Sequence, residues 1–497
     1  MSKQDETVVR RQERPLRELL EGVTVQASGG DLETPIKGLA IDSRFTGEGD
    51  LFIALPGQHV DGHDFIPQAI ERGVAAIIVQ SPGSWKGPWV SVPDSLDALA
   101  RISANFYEHP ARSLNLIAVT GSNGKTTCTY LIEAQLQAAG RVSGRLSTTE
   151  YHCPGWSQPA PATTPLAIDL HRYFHQMRRA AVTDVVMEVS SHAIVLKRIL
   201  GLQFRTALFT NLTQDHLDFH KTMSEYGRAK KALFQQYLQS NGTAVLNGDD
   251  PYVRTLLGQL PERRQLSYGL QEGAAVRATE IDSGVHGSTF TLATPAGSIR
   301  IESPLLGAYN VENLLAAAAV ALAEGVPLES IQRGLQSVKA VPGRLEPVEC
   351  GQAFKVLVDY AHTPDALRRV LTLLRRLPHH RILTVFGCGG ERDRKKRPLM
   401  GSIACQLSDQ IFLTSDNPRA EDPRAIIQEI EGGMKGHESK YRIILDRREA
   451  IVSAIEAATE FDIVLLAGKG HEVTQTWADR TRPFDDRKVA ESALRRR

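Results

Sequence analysis

Residues 114–127, Leu-Asn-Leu-Ile-Ala-Val-Thr-Gly-Ser-Asn-Gly-Lys-Thr-Thr, constrain this chain more than any other stretch. Leu114 to Val119 is a short apolar run closed by a glycine turn, the pattern of a buried parallel strand. Thr126 to Ala139 then reads as a helix. Strand, glycine-rich loop and helix together make a phosphate cradle. Gly121 and Gly124 permit backbone conformations that a Cβ would block, so amides can converge on an anion. The helix N-terminus adds free N–H groups and a partial positive charge. Lys125 supplies a full charge for the β- and γ-phosphates, and the Thr126 hydroxyl suits Mg²⁺. The expected nucleotide contacts are Gly121, Ser122, Asn123, Gly124, Lys125, Thr126 and Thr127. A strict Walker A pattern would put glycine at 119, where Val119 stands.

A chain of 497 residues has room for roughly three domains of ~150 residues each. Lys and Arg number 58 against 57 Asp and Glu, so no charge excess points to nucleic acid or an anionic membrane. Met1 to Leu20 is charged throughout and is no signal peptide. The purest apolar run, Leu314 to Ala323, is far short of the about 20 residues that a bilayer needs. The 5 cysteines (Cys128, Cys153, Cys350, Cys388 and Cys405) have neither zinc spacing nor a disulfide framework. A reducing cytoplasm is the expected setting.

The expected fold class is α/β in three domains. Residues 1–110 read as a small α/β domain, with strands at Ile36–Ile41, Leu51–Leu55 and Val74–Val79 and helices at Phe65–Arg72 and Ser95–Tyr107. Its polar turns are Asp42-Ser43-Arg44 and Gly57 to Gly62. Residues 111–340 read as a central P-loop domain. In it, Asp184–Val189 is a strand carrying Glu188, and Phe204–Thr210 is a strand leading to His216. Lys230 lies on a helix, residues 275–302 form a β-meander, and Gly307–Glu324 is an Ala-rich helix. Residues 341–497 alternate strands and helices in the rhythm of a Rossmann-like doubly wound sheet. Polar clusters follow its strands: Asp359 to His362, Gly387 to Arg392, Asp416 to Arg419 and Gly468 to Glu472.

Thr126, Glu188 and His216 follow strands of one sheet and suit a divalent cation that also meets nucleotide oxygens. Lys230, taken alone, reads as a solvated helix lysine. Asp249-Asp250 before Pro251 reads as a helix start. Arg392, Asp416, Asn417, Arg419 and Glu472 form a mixed-charge set suited to a zwitterion, since arginine forks bind carboxylates and acids bind ammonium groups.

With these residues in place, the chain resembles the Mur ligase family nearly end to end. The carrying motifs are Gly121 to Thr127, Glu188-Val-Ser-Ser-His192, Asn211 to Asp218, Tyr309 to Asn313, Gly343-Arg344 and Asp359-Tyr-Ala-His362. The resemblance implies three domains and an ATP- and Mg²⁺-dependent ligase that joins an amino acid to a nucleotide-linked peptide. Within the family it is similar to members that extend UDP-N-acetylmuramoyl-L-alanyl-D-glutamate with meso-diaminopimelate, as a cytoplasmic monomer. By this resemblance, Ile41, Ser43, Gln58, His59 and Val60 hold the UDP-sugar. Thr163, Thr164, Ser190 and Arg198 meet the sugar and peptide, and Asn310 and Arg344 meet the nucleotide. Lys125, Glu188, His216 and Lys230 act in catalysis. Lys230 is implied to be carbamylated and to join Thr126, Glu188 and His216 in holding metal. Arg392, Asp416, Asn417, Pro418, Arg419, Gly468 and Glu472 form the diaminopimelate pocket.

Three alternatives remain at this point. An L-lysine-adding form of the same ligase would want no arginine at 419. A folylpolyglutamate synthetase has no need of a separate UDP-binding domain like 1–110. A nucleotide-dependent binding protein would need the P-loop but not the third domain's charged set.

Overall fold

The computed structural model describes residues 13–57, 60–83, 85–260, 263–284 and 287–497. Gln58 and His59 therefore lie outside the described residues. Among the described residues three large sheets, of 5, 11 and 6 strands, follow one another along the chain, with two two-stranded ones beside them.

The first sheet is built from β1 (Ala27–Gly29), β2 (Gly38–Ala40), β3 (Asp50–Ile53), β4 (Ala76–Val79) and β5 (Trp89–Ser91), in spatial order β1-β5-β4-β3-β2. Helix α1 (Ser95–Phe106) packs on it. Asp94 caps that helix by accepting the N–H groups of Leu96 and Asp97, which fixes its start.

The second sheet has 11 strands. Its strands and helices, in chain order, are β6 (Asn115–Thr120), α2 (Lys125–Ala138), β7 (Ser143–Leu146), β8 (Glu150–Cys153), β9 (Trp156–Pro159), α3 (Ala167–Arg179), β10 (Asp184–Glu188), α4 (Ser191–Val195), β11 (Phe204–Phe209), α5 (Met223–Ala232), β12 (Leu238–Asn247), β13 (Arg264–Gly269), β14 (Val276–Gly284), β15 (Gly287–Thr294), β16 (Gly297–Ser303), α6 (Ala308–Ala323) and α7 (Leu328–Ser337). The spatial order is β9-β8-β7-β10-β6-β11-β12-β13-β14-β15-β16. β6 lies parallel between β10 and β11. Its side chains alternate between two cores. Leu116 and Ala118 face a core that includes Leu170 and Phe174 of α3. Ile117 and Val119 face a core that includes Leu131 of α2 and Leu314 of α6. Burial on both faces explains the unbroken apolar run. The expected meander is β14 to β16, and it continues the P-loop sheet rather than standing apart.

The third sheet comprises β17 (Glu346–Pro347), β18 (Lys355–Asp359), β19 (Ile382–Phe386), β20 (Gln410–Leu413), β21 (Tyr441–Ile443) and β22 (Ile463–Ala467), in order β17-β18-β22-β19-β20-β21. Only β17 runs antiparallel to its neighbour. Helices α8 (Pro364–Arg376), α9 (Lys396–Leu407), α10 (Pro423–Glu431), α11 (Arg447–Ala457) and α12 (Asp486–Leu494) connect or cover the strands. A buried pair, Arg447 Nη2 to Asp486 Oδ2 at 2.5 Å, ties α11 to the start of α12.

The carboxyl ends of β6, β10 and β11 face those of β18, β19 and β22. Among the contacts that cross between the units, Arg344 Nη2 donates to Thr126 Oγ1 (3.1 Å), and Asn123 Nδ2 to Asp365 Oδ2 (3.2 Å). Ligands of open α/β sheets bind at strand carboxyl ends, so this seam is where chemistry is expected. Among the described residues no helix is long and apolar enough to cross a membrane.

Candidate active site

The loop between β6 and α2 forms the cradle expected of it. Gly121 and Gly124 have φ values of 140° and 87°. A Cβ at Gly121 would lie 1.9 Å from Thr210 Oγ1, and one at Gly124 2.4 Å from Asn313 Oδ1, so a side chain at either place would be crowded as well as strained. The loop is braced from the end of β11. Asn123 N donates to Asn211 Oδ1 (2.9 Å), Thr210 Oγ1 to Asn123 O (2.6 Å) and Ser122 Oγ to Thr213 O (3.0 Å). Lys125 folds back over the loop and donates to the carbonyls of Gly121 and Ser122, both at 2.9 Å. Beside the cradle, Thr127, Tyr309, Asn313, Arg344, Asp359 and Arg369 line a small pocket at the seam. Asn310 is buried at the start of α6 and accepts from Asn313 Nδ2 at 3.0 Å. Asn313 and Asp359 sit inside the motifs quoted above, yet residue type alone assigned them no role.

Glu188 is fully buried at the end of β10. Its Oε1 accepts Thr126 Oγ1 (2.9 Å) and Thr148 N (2.8 Å), and its Oε2 accepts Thr148 Oγ1 (3.0 Å). It forms no ion pair with any described residue. A buried carboxylate beside a hydroxyl, without a fixed cation, is a donor set that fits a hard divalent cation. Thr148 was not singled out from the sequence; it becomes visible only because β7 pairs with β10.

His216 stands at the start of the short helix Leu217–His220 with φ of 55°. Its ring meets His192 edge-on, with centres 4.8 Å apart. Burial holds the imidazole down to about 4, and neighbouring lysines push the same way. Lys230 differs from the solvated lysine that its helix suggested. Only 1% of it is exposed. Its Nζ donates to Gly121 O (2.8 Å), the carbonyl that Lys125 also uses, and lies 4.7 Å from the centre of the Tyr226 ring. Burial first, then the charge of Lys125, holds the Lys230 amine well below its ordinary range. Burial likewise lowers Lys125. Asp250 caps the helix after it by accepting Val253 N, and Asp249 accepts Leu270 N, so the doublet is a helix start as read.

A polar cleft of about 740 Å³ runs along the seam. One wall carries Thr163, Thr164, Ser190, Arg198 and His216 of the central unit. The opposite wall carries Arg392, Asp416, Asn417, Arg419, Gly468 and Glu472. Thr164 turns its hydroxyl inward to Glu188 O (2.9 Å), and Ser190 caps α4 through Ala193 N (3.2 Å). Arg198 donates to Thr164 O (2.8 Å), but its Nε has no partner and no carboxylate pairs with it among the described residues. A half-buried, unpaired guanidinium is a ready partner for an anionic ligand.

On the third unit's wall, Arg419 Nη1 donates to Gly390 O (2.7 Å). Its Nε and Nη2 meet no described acceptor. Burial, then Arg392, lowers this guanidinium. Pro418 precedes it and is buried with Asp416 and Asn417. Asn417 Nδ2 donates to Glu472 Oε2 (2.7 Å). A residue that sequence reasoning missed, Lys469, is buried between them. It lies inside the polar cluster Gly468 to Glu472, between two glycines, and no role was drawn for it there.

The first sheet's candidates stand away from this cleft. Ser43 Oγ donates to Gln68 Oε1 (2.6 Å), Ile41 packs against the first sheet's core, and Val60 is exposed. That unit meets the central one through Ala167 and Ile168, which join its core, and through an ion pair from Lys197 to Asp94 at 2.5 Å.

Comparison with known proteins matches residues 35–107 to the "Mur ligase family, catalytic domain", 119–321 to the "Mur ligase middle domain" and 343–470 to the "Mur ligase, glutamate ligase domain". The chain is 45% identical to the UDP-N-acetylmuramoyl-L-alanyl-D-glutamate–2,6-diaminopimelate ligase of Syntrophomonas wolfei, over 97% of this chain and 99% of that protein. The enzyme of the same name from Solibacter usitatus is 46% identical over 93% of this chain and 94% of its own length. A solved structure bearing that name superposes with a TM-score of 0.67 at 33% identity, covering 98% of this chain and 99% of its own. Mycobacterium tuberculosis folylpolyglutamate synthase shares the fold at a TM-score of 0.62, with 17% identity over 80% of this chain and 94% of that one.

Proposed function

As the chain belongs to the Mur ligase family, we propose that it is the ATP-dependent ligase joining meso-diaminopimelate to UDP-N-acetylmuramoyl-L-alanyl-D-glutamate. The observation that carries this reading is the single cleft whose walls hold Arg198 and His216 on one side and Arg419 and Glu472 on the other. A nucleotide-dependent binding protein has no use for the second wall. The N-terminal unit, residues 1–110, takes the UDP-sugar, residues 111–340 take ATP, and residues 341–497 take the amino acid. The reaction is cytoplasmic, where UDP-linked precursors and ATP are at hand, and the enzyme works as a monomer.

The D-glutamyl γ-carboxylate attacks the γ-phosphorus of ATP. The bond to the β-phosphate oxygen breaks, ADP leaves, and an acyl phosphate forms. Arg198 orients the anionic dipeptide for this attack. Lys125, already folded over the loop, neutralises charge developing on the transferring group. Thr126 and Glu188 would hold one Mg²⁺, and His216 with a carbamylated Lys230 a second. Bound there, Mg²⁺ supplies positive charge to the phosphate oxygens. The amine of diaminopimelate then attacks the acyl carbon. The tetrahedral intermediate expels phosphate, and the nitrogen gives up a proton to form the amide. Closing of the third unit over the seam keeps water from the acyl phosphate.

The surroundings of Lys230 support this state. As an ammonium it would repel a cation beside His216, and burial together with Lys125 disfavours that form against the pull of Asp215. A neutral amine is the species that adds CO₂: the nitrogen bonds to carbon and gives up a proton to water, and the resulting carbamate is an anion suited to metal.

The test measures ADP release with each co-substrate alone and together. Sustained turnover should need both the UDP-dipeptide and meso-diaminopimelate. ADP release indifferent to both would return the protein to the class of nucleotide-dependent binders, and glutamate addition to a folate would favour the synthetase.

A further inference from the structure

We propose that Lys469 is the positioning residue of the amino-acid pocket: it fixes Glu472 and Asn417 so that Glu472 offers one oxygen, Oε1, to the substrate's ammonium group. This rests on the reading of that pocket given above and names a device within it.

Lys469 is fully buried. Its Nζ donates to Glu472 Oε2 (2.9 Å), Asn417 Oδ1 (3.2 Å) and Thr474 O (2.7 Å). An ammonium group has three N–H donors, so these acceptors leave none for a ligand. Lys469 thus acts through its neighbours rather than by touching substrate. The three bonds also settle how Asn417 sits. Its Oδ1 accepts both Lys469 Nζ and Thr476 N (3.1 Å), so its Nδ2 is the end that donates to Glu472 Oε2 (2.7 Å). Two donors therefore occupy Oε2. Oε1 accepts from no described residue, and Glu472 lines the cleft.

This arrangement divides the pocket's chemistry. Arg419 keeps Nε and Nη2 for a carboxylate, and Glu472 keeps Oε1 for an ammonium. Lys469 sets a positive charge against the far oxygen, Oε2, of the half-buried Glu472 carboxylate. Its own charge faces the far oxygen, so the free oxygen presents negative potential to the cleft. Without it, Glu472 Oε2 is held by Asn417 alone, and the Asn417 amide keeps two of its three orienting bonds.

Lys469→Met keeps the length of the side chain and removes its donors and charge. The KM for meso-diaminopimelate should rise about 10- to 100-fold, the cost of misplacing a charge-assisted bond. The kcat and the KM values for ATP and UDP-dipeptide should stay within about threefold, the mark of lost uniform binding. In a Glu472→Gln background, adding Lys469→Met should change the diaminopimelate KM by less than about threefold, because the residue through which it acts is already altered. An unchanged KM in the single variant, a uniform loss in all constants, or full additivity in the double variant would each overturn the proposal. Should Lys469→Met fail to fold, a crystal structure of the wild-type enzyme with meso-diaminopimelate decides. Lys469 should remain on Oε2 with the ligand's ammonium on Oε1, whereas a Lys469 bonded to the ligand's carboxylate would refute it. If the wild type does not prefer meso-diaminopimelate over L-lysine, the reading of the pocket falls. If it does and Lys469→Met leaves KM unchanged, only the role of Lys469 falls.

Discussion

Two lysines of this protein are buried to the same degree and are used in opposite ways. Lys230, 1% exposed, bonds to a carbonyl that it shares with Lys125 and has no carboxylate partner among the described residues. Lys469, 0% exposed, spends every donor, one of them on the carboxylate of Glu472. A buried cation without compensation is unstable as a cation, so Lys230 is driven toward the neutral amine and is open to chemistry. A buried cation with full compensation is chemically quiet and serves as a fixed point for its neighbours. The central unit's side of the seam is thus built around an unmet charge and the third unit's side around a met one.

The comparison breaks most sharply at Lys230. Lys230→Ala should lower kcat by about 10²- to 10³-fold or more, the scale of losing a group that stabilises transferring charge. Added acetate or formate should restore part of the rate, since a free carboxylate can replace a carbamate but not an ammonium. Near-normal turnover without added acid would show that Lys230 is structural. The next effect is expected at Arg419, the free fork of the compensated side. Losing a buried charge-assisted pair costs ~2–5 kcal/mol, or roughly 30-fold to several thousand-fold. Arg419→Ala should lose that much kcat/KM for meso-diaminopimelate while ATP and UDP-dipeptide KM values hold, and a loss spread over all three substrates would point to a folding defect.

The smallest effect concerns the floor of the same pocket. Arg397, fully buried, pairs with Glu421 and Glu429 (2.8 Å each) and donates to Gly389 O (3.2 Å), bracing the loop that carries Arg392. The Arg397 bond is the main reason Glu421 titrates down at about 2 rather than 4.5. A carboxylate lowered in the folded state adds stability above its unfolded pKa and loses it as pH falls through the folded one. Glu421→Gln should therefore cost on the order of 1 kcal/mol at neutral pH. Thermal melts should converge with those of the wild type between pH 4.5 and 2; a gap that persists across that range would assign the loss to packing.

How much of this was legible in the sequence depended on where the determining contacts lie. β6, its loop and α2 were readable because an apolar run, two glycines and a helix are local signals. The third unit's strands were readable for the same reason, through their regular alternation with helices. β7 to β9 and β12 to β13 escaped notice. β7 reads Ser-Gly-Arg-Leu, and its arginine, Arg145, is buried only because Glu133 and Glu150 meet it there. Glu133 lies 12 residues earlier on α2, so no strand alternation or helix spacing marks the pairing. Within the site, Glu188 and His216 were found because they follow strands. Lys230 looked solvated because its own helix carries a second lysine, and only the tertiary contact with Gly121 buries it. Lys469 was missed for a related reason, since Asn417 comes from another strand end. Thr148 likewise depends on a strand pairing that short polar segments do not announce.

The most direct test of the account is the ratio of kcat/KM for meso-diaminopimelate over L-lysine, measured in the wild type and in Arg419→Ala. The two amino acids differ by one carboxylate, and a site built to pair that group leaves charge unmet when it is absent. The account predicts a wild-type ratio of at least about 30, falling toward one in the variant. A wild-type ratio near one, or a ratio unchanged by Arg419→Ala, would contradict it.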